Sequence, residues 1–202
     1  MAQVLRRAVR TQCEQIALEA RSALALAAMD PLDPRLLAEH LGIETLSLEA
    51  FRKAHPEAVE QLVEINPRAF SGVLVPFENR QIIVFNPAHP PHRRRYTVCH
   101  ELAHLLLEHK PKPPFDRDLK RRFNPTDEAE ADYLAEALLV PLIAATPMVE
   151  RCGNDVGRAA EHFRVSRRLM RARLIEARPG VPIGEPEPAD RGVPYSSWRA
   201  TL

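Results

Sequence analysis

The spacing of apolar positions along the chain predicts mainly helices. Between residues 3 and 28 apolar residues recur at intervals of three and four, as on one face of an amphipathic helix, and Pro31 ends that helix. A short second helix is expected over residues 34–41, because Pro34 stands in its first turn and Gly42 follows its last. The first forty residues are therefore expected to form two helices.

Three later segments have the pattern of β-strands. Residues 43–48 alternate in the manner of a strand, and two apolar runs follow at 71–77 and 81–85. Only the three polar residues 78–80 separate these two runs, so they are expected to form a hairpin. We therefore predict a small antiparallel sheet.

Helical periodicity returns in the second half of the chain. Helices are predicted over residues 95–109, 127–139, 155–163 and 166–177. A proline-rich loop, residues 110–118, separates the first two of them. The segment 178–202 is rich in Pro and Gly and has no periodicity, so it is expected to be a flexible tail.

Composition narrows the functional classes. The chain has 202 residues, 45% of them hydrophobic and 27% charged, which is ordinary for a globular protein. Its 28 basic and 27 acidic residues leave a formal net charge of +1. No general attraction to polyanions follows, so any contact with nucleic acid has to be local.

Cysteine usage and the N-terminal segment indicate a cytoplasmic protein. Cys13, Cys99 and Cys152 are odd in number and widely spaced, so neither a disulfide framework nor a cysteine-rich zinc site is expected. The first twenty residues are charged throughout, unlike a signal peptide, and no apolar stretch reaches membrane-spanning length. We expect a soluble protein without membrane contact.

Residues 100–104, with the sequence HELAH, have the pattern H-E-x-x-H. On a helix, at about 100° per residue, the two histidines lie on one face and Glu101 lies beside them. This arrangement suits a zinc ion with an adjacent general base. Cys99 lies on the opposite, apolar face and is interpreted as a core thiol. Because the short pattern also fits an ordinary helix, a third ligand is the stronger test.

Glu128 is the candidate third ligand, beside His100 and His104. On the following predicted helix it shares a face with Ala131 and Ala135, whose small side chains allow that helix to approach closely. An inward carboxylate is costly unless it is paired or binds a metal. The alternative is an exposed carboxylate that is favoured by the positive end of the helix dipole.

Other polar residues have weaker predicted roles. Asp132, one turn beyond Glu128, can accept the free N–H of a zinc-bound histidine and fix its tautomer, although it could equally be a solvated charge. His89, His92 and His109 are poorer candidates for the metal and are expected at the surface. Four side chains remain open as groups that stabilise the oxyanion, namely Arg94, Arg95, Tyr96 and Tyr133.

These motifs resemble the ImmA/IrrE family of metallo-endopeptidases. The resemblance is carried by RRRYTVC before HELAH and by E-x-x-A-D-x-x-A-x-x-L-L-V-P over residues 128–141, and it extends over about residues 25–176. It implies His100 and His104 as zinc ligands, Glu101 as the base and Glu128 as the third ligand. The family usually has Asn where this chain has Asp132.

The resemblance also implies a fold and a partner. It implies an α+β, zincin-like metallopeptidase domain over residues 1–145, with a small sheet and mainly helices, followed by a helix-turn-helix-like helical region over 146–177. The expected activity is cleavage of a helix-turn-helix transcriptional repressor, which relieves repression of stress-response or mobile-element genes. One zinc ion is the expected cofactor, and the same ligands can accept Mn²⁺ or another divalent ion.

The C-terminal helical region leaves a second functional class open. The helix predicted over 166–177 carries Arg167, Arg168, Arg171 and Arg173, which suit DNA phosphates or an acidic protein surface. We favour a module that supports the fold or docks the substrate. The alternative is a DNA-binding or antitoxin-like regulator with a structural or vestigial zinc site. Glu101 favours the peptidase, because a structural site needs no base.

Overall fold

The structure is a computed structural model that describes residues 5–77, 80–109 and 124–179. Besides three short 3₁₀- or π-helical segments between residues 48 and 69, the described ranges contain eight α-helices and three strands. In chain order they are α1 Arg7–Ala23, α2 Pro34–His40, β1 Glu44–Ser47, α3 Pro56–Glu60, β2 Gly72–Phe77, β3 Arg80–Phe85, α4 Pro91–Leu106, α5 Pro125–Leu139, α6 Leu142–Arg151, α7 Val156–Phe163 and α8 Arg167–Ala177. The predicted α+β class, with mainly helices and a small sheet, is confirmed.

The three strands form a mixed sheet in the order β1-β3-β2. β2 and β3 pair antiparallel as the predicted hairpin, with Val73 opposite Val84. β1 instead pairs parallel to β3, with Thr45 opposite Ile83, so the prediction of a wholly antiparallel sheet is wrong in this detail. Side-chain alternation fixes which face of a strand is buried, but it does not fix the direction of the neighbouring strand.

α4 is the central helix of the core. It begins at Pro91, four residues before the prediction, because proline is well tolerated in the first turn of a helix. It ends at Leu106 rather than at residue 109. Glu108 has a φ of 53°, in the left-handed region, which reverses the chain direction there.

Small side chains bring α4 and α5 together. Ala103 of α4 and Ala131 and Ala135 of α5 are fully buried, and alanines allow two helix backbones to approach closely. α5 begins after Asn124, whose side-chain oxygen accepts from the backbone N–H of Thr126 at 3.1 Å. The predicted packing of these two helices is therefore observed, and it determines the geometry of the candidate site.

The C-terminal helices pack onto the same core. α6 was not predicted; α7 and α8 were predicted within one residue at each end. Leu169, Met170 and Leu174 of α8 belong to the same buried cluster as residues of α4 and α5. The division into domains at residue 145 stays a prediction. All but two residues of the predicted tail lie outside the described residues.

Arg173 is a buried anchor between α8 and the rest of the molecule. Its Nε donates to the carbonyl oxygen of Val140 at 2.8 Å, and its guanidinium forms an ion pair with Glu14 of α1. The side chain is 0% exposed, so the prediction that Arg173 belongs to a basic surface is wrong. Helical spacing alone did not reveal that a carboxylate from a distant helix meets this arginine.

No single helix in the described ranges is long and apolar enough to cross a membrane. The pair α5 and α6 passes the same test together, but the two helices are bent by 42° at their junction. The cytoplasmic location stays a prediction.

Candidate metal centre

His100 and His104 face each other on successive turns of α4. Their ring centroids lie 4.7 Å apart, and the two Nε2 atoms are separated by 3.0 Å. The His100 side chain is almost completely buried, whereas His104 is 19% exposed. Both rings therefore direct the same nitrogen to one point at the edge of the core.

Glu128 approaches that point from the first turn of α5. One carboxylate oxygen lies 3.5 Å from Nε2 of His100, and the other lies 3.6 Å from Nε2 of His104. One ligand atom from each of the three residues lies within 4.8 Å of the others, so the group could hold a metal ion. Two imidazoles and a carboxylate form a ligand set that suits catalytic zinc and leaves a coordination position open.

The carboxylate of Glu128 faces the histidines rather than only the solvent. Its side chain is 21% exposed, which differs from the alternative of a fully solvated N-terminal carboxylate. The buried Ala131, one turn later, allows α5 to lie close enough to α4 for this approach. The buried alanines between α4 and α5 thus explain why His100, His104 and Glu128 lie close together.

Asp132 lies behind His100. Its Oδ1 is 2.8 Å from Nδ1 of His100, and the hydroxyl of Tyr96 donates to the same oxygen at 2.8 Å. A carboxylate at this position favours a proton on Nδ1, which leaves the lone pair of Nε2 available for a metal. The structure therefore places Asp132 against the ring nitrogen of His100 that faces away from the cluster, and its role behind a metal ligand stays a prediction.

His109 lies behind His104 in the corresponding position. Its Nδ1 is 2.9 Å from Nδ1 of His104, and its Nε2 is 3.3 Å from Oε2 of Glu130. If Nε2 of His104 binds a metal, its Nδ1 carries a proton and donates to His109. His109 then carries its own proton on Nε2 and donates it to Glu130. The distances are consistent with a single set of tautomers.

The surface position predicted for His109 is wrong. Its side chain is only 11% exposed. The helical projection failed because α4 ends before this residue. After the left-handed turn at Glu108, the backbone N–H of His109 donates to the carbonyl oxygen of His104 at 3.0 Å, which folds the chain back over the helix end. The positive φ of Glu108 brings His109 beside His104, and the helical projection did not anticipate it.

His89 is also not a surface histidine. It is 6% exposed, and its Nε2 lies 3.1 Å from the carbonyl oxygen of Phe70 and 3.3 Å from the hydroxyl of Ser71. Burial lowers the pKa of His89, and Arg93 lowers it further. His89 therefore connects the loop after β3 to the segment before β2, and it is not part of the metal cluster.

Glu101 lies between α4 and the edge strand β2. Its side chain is largely buried, and Oε2 accepts from the backbone N–H of Leu74 at 3.0 Å. This hydrogen bond holds one carboxylate oxygen of Glu101 against β2.

Cys99, which lies two residues before Glu101, is fully buried, and burial raises the pKa of its thiol to about 12. The prediction of a core thiol is confirmed.

Several other predicted residues lie away from this cluster. Tyr133 is 8% exposed and packs against the guanidinium of Arg173, 5.1 Å from the ring centroid. Arg94 and Arg95 line a separate cavity. Arg167 is exposed and Arg168 and Arg171 are half-buried on α8, outside the cluster. Of the four oxyanion candidates, Tyr96 lies beside the cluster, where its hydroxyl donates to Asp132.

One family model matches this chain. Its description is Peptidase_M78, IrrE N-terminal-like domain, and it covers residues 38–174, which include all three residues of the cluster and Glu101. No curated protein sequence matches the chain closely.

Proposed function

Since the chain belongs to the IrrE N-terminal-like peptidase family, we propose that it is a zinc-dependent endopeptidase that cleaves a helix-turn-helix repressor. The observation that carries the catalytic part is the convergence of His100, His104 and Glu128 within 4.8 Å. In this proposal these three side chains hold one zinc ion. Mn²⁺ or another divalent ion remains compatible with the same ligands.

A zinc ion held by these three side chains would supply the Lewis acidity that activates the scissile carbonyl and the attacking water. Glu101 accepts the proton of the attacking water and later transfers it to the leaving amine. The N–H of Leu74 holds one oxygen of Glu101, so the other oxygen is the one that receives the proton. The tertiary contact with β2 thus orients the base.

The residues behind the two histidines orient the rings. Asp132, which accepts from Tyr96, lies against Nδ1 of His100, and His109, which contacts Glu130, lies against Nδ1 of His104. Each pair favours the tautomer that leaves Nε2 free for the metal. In this proposal His109 and Glu130 are therefore positioning residues.

The edge of the sheet offers a place for the substrate chain. β2 is an edge strand, and its backbone N–H at Leu74 points away from β3 and towards Glu101. An extended segment that adds beside this edge brings its peptide bonds close to the base. This mode needs no chain terminus of the substrate, which supports an endopeptidase.

The repressor substrate rests on the resemblance to the ImmA/IrrE family. A DNA-binding regulator without activity is less well supported, because burial of Arg173 removes one of the four predicted phosphate contacts. Direct DNA binding by Arg167, Arg168 and Arg171 remains the competing hypothesis, and a salt-dependent gel shift measures it.

A cleavage assay separates these functions. The purified chain is mixed with a candidate helix-turn-helix repressor, chosen from the neighbouring genes where one is encoded there, with zinc and with excess chelator. We expect one specific cut with zinc and none with chelator. The Glu101→Gln variant serves as the matched control, because it should bind zinc without cutting. A salt-dependent gel shift on the operator DNA of that repressor, without any cleavage, would instead favour the DNA-binding regulator.

A further inference from the structure

A cavity of about 520 Å³ lies beside the N-terminal half of α4. Its walls come from α2, β3, α4 and the turn between α7 and α8. Arg95 at the cavity and His100, the nearer histidine of the metal cluster, are five residues apart on α4, which is roughly 8 Å along the helix axis and about 140° around it. The cavity therefore lies on a different face of α4 from the candidate metal centre, and none of the three residues of that centre lines it.

The side chains that line this cavity are strongly positive. Four arginines, Arg35, Arg94, Arg95 and Arg164, face a single carboxylate, Asp33. This concentration of charge stands out in a chain whose formal net charge is only +1. Such a surface attracts anions and raises their local concentration.

Three of these arginines have no carboxylate partner among the residues that the structure describes. Other arginines, among them Arg10, Arg52, Arg80, Arg173 and Arg178, each form an ion pair. In the described part of the chain, no ion pair is formed by Arg35, Arg94 or Arg164. The guanidinium of Arg35 instead lies 5.5 Å from the centroid of the Phe85 ring.

Arg95 is the most constrained of the four. It donates through Nη2 to the carbonyl oxygen of Leu32, but its buried Nε has no hydrogen-bond acceptor among the described residues. Burial lowers the pKa of Arg95, and the like charge of Arg164 acts in the same direction, against the raising effects of Cys99 and Asp33. A buried donor beside like charges is costly, and a bound anion would offset that cost.

We propose that this cavity binds a small organic phosphate of nucleotide size. A guanidinium group can donate two parallel hydrogen bonds to the oxygens of one phosphate. The positive end of the α4 dipole lies at the same wall of the cavity. The volume is far larger than an inorganic phosphate needs and lies in the range of small-molecule sites. Phe85, Val98 and Val165 supply apolar wall for the organic part.

Calorimetric titration of the full-length, zinc-loaded protein with AMP tests this proposal. Inorganic phosphate and adenosine serve as the two partial probes. We expect AMP to bind with a Kd below about 1 mM, adenosine not to bind, and phosphate to bind at least about tenfold more weakly than AMP. The titration is repeated after zinc removal, because a phosphate could also bind the metal. AMP binding should persist.

Variants locate the site. Arg94→Ala combined with Arg164→Ala should weaken AMP binding at least about tenfold, since both side chains lose their contact with the phosphate. Arg158→Ala, which removes an exposed arginine of α7 outside the cavity, should leave it unchanged. The proposal is overturned if AMP gives no binding heat at about 5 mM. It is also overturned if AMP binding is lost when zinc is removed, or if the double variant binds AMP as tightly as the parent. It is also overturned if short duplex DNA competes for the same arginines more strongly than AMP.

Discussion

The Nδ1 atom of His109 lies 2.9 Å from Nδ1 of His104, on the side of the ring that faces away from the metal cluster. A contact on this side leaves Nε2 of His104 for the ion. Zinc-binding histidines generally have such a partner, and its loss typically lowers metal affinity about 10–100-fold. His109 thus links the turn after α4 to the metal centre.

His109→Ala should therefore weaken zinc binding by about 10-fold or more while the metal-free protein keeps its thermal stability within a few degrees. Competition with a chromophoric chelator measures the affinity. Glu130→Gln should have a smaller effect, because the amide oxygen can still accept from His109. His40→Ala, on the exposed end of α2, is the control. An affinity unchanged in the His109 variant contradicts its role as a positioning residue.

Glu128→Gln should lower zinc affinity by more than about 100-fold, because a metal ligand contributes more than a residue behind it. The amide is a poorer ligand for zinc than the carboxylate. Equilibrium dialysis against buffered zinc measures the stoichiometry and affinity. Glu150→Gln, at an exposed acid of α6, is the matched substitution. Equal zinc binding by the Glu128 variant would require another third ligand.

Gly72 controls the distance between β2 and α4. A Cβ at this position would overlap Cγ2 of Thr97 and would lie only 3.1 Å from the carbonyl oxygen of Val84. Gly72→Ala should therefore destabilise the fold by about 1–3 kcal/mol, as overpacking does, and should weaken the bond from Leu74 to Glu101. Chemical denaturation measures the first effect and kcat the second.

Thr97→Ser in the Gly72→Ala background removes the methyl group that the new Cβ meets. We expect this second substitution to restore part of both stability and activity. A Gly72→Ala variant as stable and active as the parent would show that the close packing of β2 on α4 is not required.

Glu14→Ala removes one of the two ion pairs of the buried Arg173, which keeps a 3.5 Å contact with Glu176. Removal of one member of a fully buried pair typically costs about 3–5 kcal/mol, and the remaining contact with Glu176 reduces the cost here to about 2–3 kcal/mol. We expect a loss of this size in the free energy of unfolding, measured in urea. Arg80→Ala is a milder comparison, since its ion pair with Glu44 is exposed and lies outside this group of charges. A loss below about 1 kcal/mol for Glu14→Ala would place the Arg173 pair among ordinary surface pairs.

Much of the fold and of the candidate site follows from local patterns in the sequence. The spacing of His100, Glu101 and His104 on one helix is a local property, and the small residues Ala131 and Ala135 indicated the helix that brings Glu128 to them. The hairpin was predictable because short polar turns between apolar runs have few alternatives. These features depend on neighbours in sequence.

The rest depends on contacts between distant residues. The parallel pairing of β1 with β3 involves residues nearly forty positions apart, and no alternation pattern encodes it. The role of His109 depends on where α4 ends, and a shift of three residues changed its direction. Arg173 is buried because Glu14, from the first helix, meets it. Periodicity describes a single helix and not its partners.

Parallel measurement of zinc binding and peptide cleavage on the parent protein and Glu101→Gln tests the central claim most directly. We predict one zinc ion per chain for both proteins with affinities within about threefold, because Glu101 does not hold the metal. We also predict that cleavage falls by about 100-fold or more in the variant, because the proton acceptor is lost. Cleavage by Glu101→Gln at the parent rate, or a parent protein that binds no divalent metal, would contradict the account.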